Sequence, residues 1–388
     1  MSAKRVQSGE PVADPFGERQ LSQLTTHACI LGGHFRFECD TPALLRIVEA
    51  AYGQLPEHRL SGRAPRFLVR LVLHSGRPGA PAGEAPRVTA LAGGGLLAGA
   101  VGNASFVSID PKRRAALIAI SRDMLRFPYH VRYELLEFAV YTLAARAQGL
   151  MPLHAGCVGR DGSGILLVGG SGSGKSTLTL HCLLAGLDLL SEDSVMVQPA
   201  SLLATGVANF LHLRRDAQRF VERTSAAAQI RGSPLIRRRS GVTKLEIDLR
   251  SFQGRLAPAP LTLRAVVFLS PRRASKRALL HPLHVADLVQ RLSASQRYAA
   301  AQPHWGEFIA KVQQLPAYEL RRGGHPRAAA AVLQRLLATP GARRAQLSAS
   351  SSRSESDRPS AAARASRKPR GRAARAASAT PSAAPAPR

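Results

Sequence analysis

The chain is expected to adopt an α/β fold whose main domain carries a phosphate-binding loop (a P-loop), with a small α+β module before it and a disordered basic tail after it. Three observations predict this. Residues 169 to 177 read GGSGSGKST, where Gly169, Gly174, Lys175 and Ser176 satisfy the spacing G-x-x-x-x-G-K-[ST]. Around that loop, GILLVG (164 to 169) reads as a buried strand, KSTLTLHCLLAG (175 to 186) as a helix stopped by Gly186, and LDLLS (187 to 191) as a second strand. From residue 341 onward the chain is almost entirely Ala, Ser, Arg and Pro, with 11 Lys/Arg against 2 acids and almost nothing able to build a core.

In chain order, residues 1 to 22 read as disordered and 23 to 125 as the α+β module. Its β-rich runs are ACILGGHFRFECD (28 to 40), FLVRLVLH (67 to 74) and ASFVSID (104 to 110), with a helix expected over TPALLRIVEAAYGQL (41 to 55). SGRPGAPAGEAPR (75 to 87) reads as a Gly/Pro-rich loop. The most apolar stretch, ALAGGGLLAGAVG (90 to 102), is broken by glycine and too short to cross a bilayer. Residues 126 to 340 form the expected nucleotide-binding domain, entered through an amphipathic helix over HVRYELLEFAVYTLAARAQG. There Val131, Leu135, Phe138, Thr142 and Ala145 recur at helical spacing, and Gly149 ends the run.

Charge and cysteine content narrow the partners. The chain holds 54 Lys+Arg against 25 Asp+Glu, a net charge of +29, of which the tail supplies +9. No aromatic residues interleave with the basic ones in that tail, so no specific nucleic-acid partner is expected. Cys29, Cys39, Cys157 and Cys182 are scattered without a C-x-x-C pair and read as thiols of a reducing compartment. The N-terminal MSAKRVQSGEPVADPFGERQ lacks the apolar core of a signal peptide. A cytoplasmic protein with no membrane partner is the expectation, and a homo-oligomer is compatible with it.

The loop itself dictates a ligand class. Its glycines allow backbone N–H groups to approach a polyphosphate, so Gly169, Gly170, Ser171, Gly172, Ser173, Gly174, Lys175, Ser176 and Thr177 are the candidate nucleotide-binding residues. Lys175 would neutralise the β- and γ-phosphates of ATP and Ser176 would ligate Mg²⁺. Glu192 and Asp193, in LLSEDSVMV, follow the second strand and would lie in the crevice at its carboxyl end. One would hold Mg²⁺ and the other would accept a proton from an attacking hydroxyl, which makes Ser176, Glu192 and Asp193 the candidate metal set. His154, in PLHAGCVGRDGSG, is the third element.

LHAGCV, GILLVGGSGSGKST and AGLDLLSEDSV, in this order and spacing, resemble the HPr kinase/phosphorylase family and its wider group of HPr kinase-like serine kinases. His154 stands 21 residues before Lys175 and Asp193 stands 18 after it, as in that family. The resemblance is good over about residues 130 to 200 and extends loosely to about 270. It implies a fold similar to phosphoenolpyruvate carboxykinases, Asp193 as the general base toward a substrate serine, and His154 and Lys175 as further catalytic residues. Two departures stand out: Glu192 replaces the first Asp of the family's acidic pair, and the segment supporting phosphorolysis is not recognisable. RGSPLIRRRSGVTKLEIDL (231 to 249) occupies its place, with Arg231, Arg237, Arg238, Arg239 and Lys244 as candidates for a phosphate or substrate clamp. The resemblance implies an ATP- and Mg²⁺-dependent kinase acting on a serine of a protein or peptide.

Two other readings compete. RLSASQR (291 to 297) has the look of a degraded transporter-ATPase signature, but the apolar strand ending in Asp-Glu that should follow is missing, so it reads as a helical segment. An ATP-binding regulatory or scaffold protein with reduced catalysis would keep the loop and transfer nothing.

Overall fold

The computed structural model describes residues 24–338 except 75–84, 86, 87, 94, 102–104, 253 and 275–277. The expected disorder at 1 to 22, most of the Gly/Pro-rich loop and the basic tail lie outside the described residues. The described residues form a mixed α/β protein with three sheets.

Alternating burial along the first strands fits a sheet with one covered face. β1 (Leu24–Ile30) and β2 (Gly33–Cys39) form a hairpin that turns at Leu31 and Gly32, both at positive φ. After the helix α1 (Pro42–Tyr52) come β3 (Arg66–His74), β4 (Val88–Gly93), β5 (Leu96–Val101), β6 (Ser105–Asp110) and β7 (Ala115–Ser121). They assemble in the order β1-β2-β3-β7-β6-β5-β4, with β2–β3 and β3–β7 parallel. The apolar stretch 90 to 102 carries no strand pattern in its sequence, yet most of it forms the β4–β5 hairpin, because pairing with β6 supplies the order that its Gly/Ala composition does not.

The expected helix near 130 to 149 is present but irregular. Pro128–His130 forms one turn (α2), Val131–Leu136 is π-helical, and α3 (Glu137–Gln148) ends at the left-handed Gly149. Its inner side packs on the seven-stranded sheet: Leu135, Leu136, Val140 and Leu143 share a core with Phe35, Phe37, Val69 and Ile118.

The second sheet carries the site. β8 (Met151–Leu153), β9 (Gly156–Arg160) and β10 (Ser163–Val168) lead to α4 (Lys175–Leu184), then β11 (Asp188–Ser191), β12 (Val195–Gln198) and β13 (Leu203–Gly206). β14 (Phe210–Arg214), β15 (Leu235–Arg237) and β16 (Thr243–Asp248) form a separate three-stranded sheet. β17 (Arg255–Leu256), β18 (Leu261–Arg273), β19 (Leu280–Pro282) and β20 (Ala317–Arg322) complete the ten-stranded one.

Strand, loop, helix and strand follow one another as expected, but β10 and β11 are not neighbours. β9 lies between them, antiparallel to both. Both faces of this sheet are covered. Ile165 and Leu167 face α4 and the helix Pro326–Ala338, while Leu166 and Val168 face the helices Val285–Ser295 and Trp305–Val312. Four consecutive apolar residues in β10 are the signature of a strand buried on both sides. All four cysteines are free, and no helix among the described residues is long and apolar enough to cross a membrane.

Candidate functional site

The insertion of β9 explains why three distant motifs meet. A strand running opposite to its neighbours begins where they end, so the residues before β9 lie beside those following β10 and β11. His154 and Ala155 thereby reach both the glycine loop and the Glu192–Asp193 pair, and the Ala155 amide donates to the Asp193 carbonyl at 3.2 Å. Gln296 fixes this segment from the other side: its side chain accepts from the His154 amide at 2.8 Å and donates to the His154 carbonyl at 3.1 Å. The transporter-like RLSASQR segment is helical through Ser295, as expected, and Gln296 at its end serves as this clamp.

The glycine loop has the local geometry its sequence requires. Gly172 and Gly174 adopt φ of +77° and +98°, conformations that side chains disfavour, and Gly174 caps the start of α4. Lys175 folds back so that its ammonium donates to the Gly169 carbonyl at 2.6 Å and to His154 Nε2 at 3.3 Å. An ammonium has no acceptor, so Nε2 must accept and the ring proton sits on Nδ1, which faces Asp193 Oδ1 at 3.1 Å. Burial pulls the Lys175 pKa below its usual value, with Asp193 and Glu192 opposing the shift and Arg238 reinforcing it. Asp193 also has the Arg238 guanidinium 3.7 Å away. On the outer side of the loop Arg322 donates to the Gly172 carbonyl at 3.4 Å.

Behind Lys175 lies a second, buried set of charges. The Ser176 hydroxyl donates to Glu192 Oε1, and Glu192 Oε2 accepts from the His212 amide at 3.1 Å. His212 Nδ1 is 3.4 Å from Glu192 and its Nε2 is 3.2 Å from Glu246, which in turn pairs with Arg132. Burial alone would raise the Glu192 pKa, but contacts with His212, the Ser176 hydroxyl and the Lys244 charge lower it. Burial alone would lower that of His212, but the two carboxylates raise it. These contacts favour the ionised carboxylate and the protonated ring.

His154, Gly170 through Thr177, Glu192, Asp193, Arg238 and Lys244 all line one cleft of ≈ 480 Å³. Of the five candidate clamp residues, Arg238 and Lys244 reach it. Arg239 instead pairs with Glu134, and Arg231 and Arg237 are not among the lining residues. Burial lowers the Lys244 pKa, as do Arg238 and Lys175. Sequence reasoning missed His212, Glu246, Arg132 and Gln296. No spacing marks them, because they arrive from a separate sheet, the π-helical turn and the end of a later helix.

No family model matches the chain, and no curated protein matches it. Among solved structures it is similar to the HPr(Ser) kinase/phosphatase from Coxiella burnetii, at 12% identity and a TM-score of 0.26, over 48% of this chain and 95% of that one. A score of that size does not establish a shared fold.

Proposed function

We propose that the chain is an ATP- and Mg²⁺-dependent kinase that transfers the γ-phosphoryl group to a serine hydroxyl of a protein or peptide. The observation that carries this reading is the Lys175–His154–Asp193 chain of contacts at the mouth of a glycine loop that opens a helix. It joins a phosphate-binding cation to a carboxylate able to take a proton, which are the two parts that phosphoryl transfer to a hydroxyl needs.

In this reading the loop amides and the N-terminus of α4 hold the polyphosphate, and Lys175 leaves the Gly169 carbonyl to meet it. Asp193 receives the hydroxyl proton at its carboxylate, and His154 holds that carboxylate through Nδ1–H. Arg238 and Lys244 face the same cleft and would balance charge on the transferring group.

The residues fit Mg²⁺. The Ser176 hydroxyl spends its hydrogen on Glu192, which leaves its oxygen lone pairs free for a hard cation. Ser176 would hold the ion, with Glu192 acting through Ser176 while its longer side chain reaches back to His212, which leaves the Asp193 carboxylate free to take the proton. Mg²⁺ bound there supplies electrostatic shielding of the β- and γ-phosphates. Among the described residues no group of three His, Cys, Asp or Glu forms a metal cage, and Mg²⁺ shared with a nucleotide needs only one or two side-chain oxygens.

The test is transfer of labelled γ-phosphate from Mg·ATP to proteins of a source-cell lysate, with Lys175→Ala as control. An acid-stable labelled product that depends on Lys175 is expected. ATP binding with no labelled product would overturn the kinase reading in favour of a regulatory ATP-binding protein.

A further inference from the structure

A second cleft, of ≈ 520 Å³, adjoins the first and shares His154, Glu192, Asp193 and His212 with it. The glycine loop and Lys175 line only the first cleft, whereas Asp193 lines both. A hydroxyl entering through the second cleft therefore reaches Asp193 without crossing the loop. The volume is that of a small-molecule site, enough for a short stretch of extended chain.

The walls define what fits. Tyr133, Phe138, Tyr141, Phe210 and Tyr298 contribute rings, and Leu153, Met196 and Val207 contribute apolar surface. Glu137, the first residue of α3, lines the same cleft and is 7% exposed. The other two carboxylates of the lining are already matched, Glu192 by His212 and Asp193 by His154 and Arg238. Glu137 has no cation within ion-pair distance among the described residues, and the Asn209 side chain that shares the lining donates to the Ala51 carbonyl at 2.8 Å. Arg132, the nearest candidate on the same helical run, is committed to Glu246 and stacked on the Phe210 ring at 4.1 Å. Burial accordingly pushes the Glu137 carboxyl up to about 7, against the pull of Arg132 and His212. A buried carboxyl without a cation, among aromatic faces, is the arrangement that recognises an ammonium or guanidinium group.

We infer that this second cleft seats the phosphate acceptor as an extended peptide, whose serine is flanked by an apolar residue and by a lysine or arginine that pairs with Glu137. The inference rests on the kinase reading above. The apolar neighbour lies against the aromatic wall, and the serine hydroxyl meets Asp193.

The test uses the full chain with Mg·ATP and synthetic peptides containing one serine and one leucine, with lysine, norleucine or glutamate stepped through the flanking positions. The best lysine peptide is expected to show a KM about tenfold or more below its norleucine counterpart, the size of a charge-assisted hydrogen bond, with glutamate weaker still. Glu137→Gln should erase that advantage and leave the KM for ATP unchanged. Tyr298→Ala alters a wall residue that is 67% exposed, so the core is untouched; it should raise peptide KM several-fold without affecting ATP. A lysine advantage that survives in folded Glu137→Gln would overturn the inference, as would a peptide KM indifferent to Tyr298→Ala. Lys175-dependent ATP turnover with no peptide phosphorylated would overturn it too while sparing the kinase reading, and ATP binding with no Lys175-dependent turnover would sink that reading itself.

Discussion

Two histidine–carboxylate pairs, built on the adjacent Glu192 and Asp193, line the same cleft and have opposite surroundings. His154 faces Asp193 at the open cleft, where its side chain is 56% exposed. His212 faces Glu192 and Glu246 with 3% exposed, beneath the loop. Both join an imidazole to an acid, yet only the first is open to solvent. The second is matched within the fold by the Ser176 hydroxyl and Arg132, and its side chains are almost wholly buried. Burial, rather than residue type, sets the two pairs apart.

The largest expected effect breaks the open pair. Asp193→Asn should lower turnover by about 10²–10⁴-fold, the range for a positioned base, while ATP affinity and unfolding free energy stay close to wild type. Loss of ATP binding in step with turnover would instead make Asp193 chiefly a metal ligand. Breaking the buried pair should do the reverse. His212→Gln removes the ring that faces the buried Glu192, while Glu246 keeps Arg132, and a loss of about 3–5 kcal/mol in urea unfolding is expected; unchanged stability would remove the distinction between the pairs.

The pH dependence sharpens the contrast. The His212 pKa is raised on folding, so its contribution is fully present below the unfolded value near 6.5 and is lost as pH rises through the folded one. The stability gap between wild type and His212→Gln should therefore narrow on going from pH 6 to alkaline conditions. Glu192 has a lowered pKa and acts in the other direction, with stability present above about 4.5 and lost as pH falls through its folded value. The smallest effect concerns a third histidine. His181, on α4, has neither ring nitrogen hydrogen-bonded, and burial, His325 and Arg327 lower its pKa to about 4. Its protonation should cost stability as pH falls from about 6.5 to about 4, so His181→Leu should gain about 2 kcal/mol over wild type at pH 5. Parallel unfolding curves across that range would count against it.

The sequence reveals the open pair and conceals the buried one for a physical reason. His154, Lys175 and Asp193 sit at turns next to glycines and strand ends, where fixed spacing follows from the short elements between them. Lys175 and Gly174 lie at the first turn of α4, and Glu192 follows β11 directly, both as their order predicts. His212, Glu246 and Arg132 are interior positions of longer elements, where only the pairing of β14 with β16 brings His212 opposite Glu246. The aromatic cleft was illegible for the same reason: its rings come from the π-helical turn, from α3, from β14 and from the short helix Arg297–Ala300. The β4–β5 hairpin was hidden by composition, because Ala and Gly carry no alternation to read.

The insertion of β9 between β10 and β11 makes the sheet a ruler for the site. Cys157 is in register with Leu166 on one side and with Ser191 on the other, and β11 takes up an irregularity between Leu189 and Ser191 to reach that match. A slip of two residues would keep every side chain on its face and preserve the hydrophobic pattern, yet carry His154 about 7 Å along the strand axis. That displacement exceeds the reach of both Lys175 and Asp193. Substitutions in this ladder that leave stability intact can thus part His154 from Lys175 and Asp193 by changing a distance.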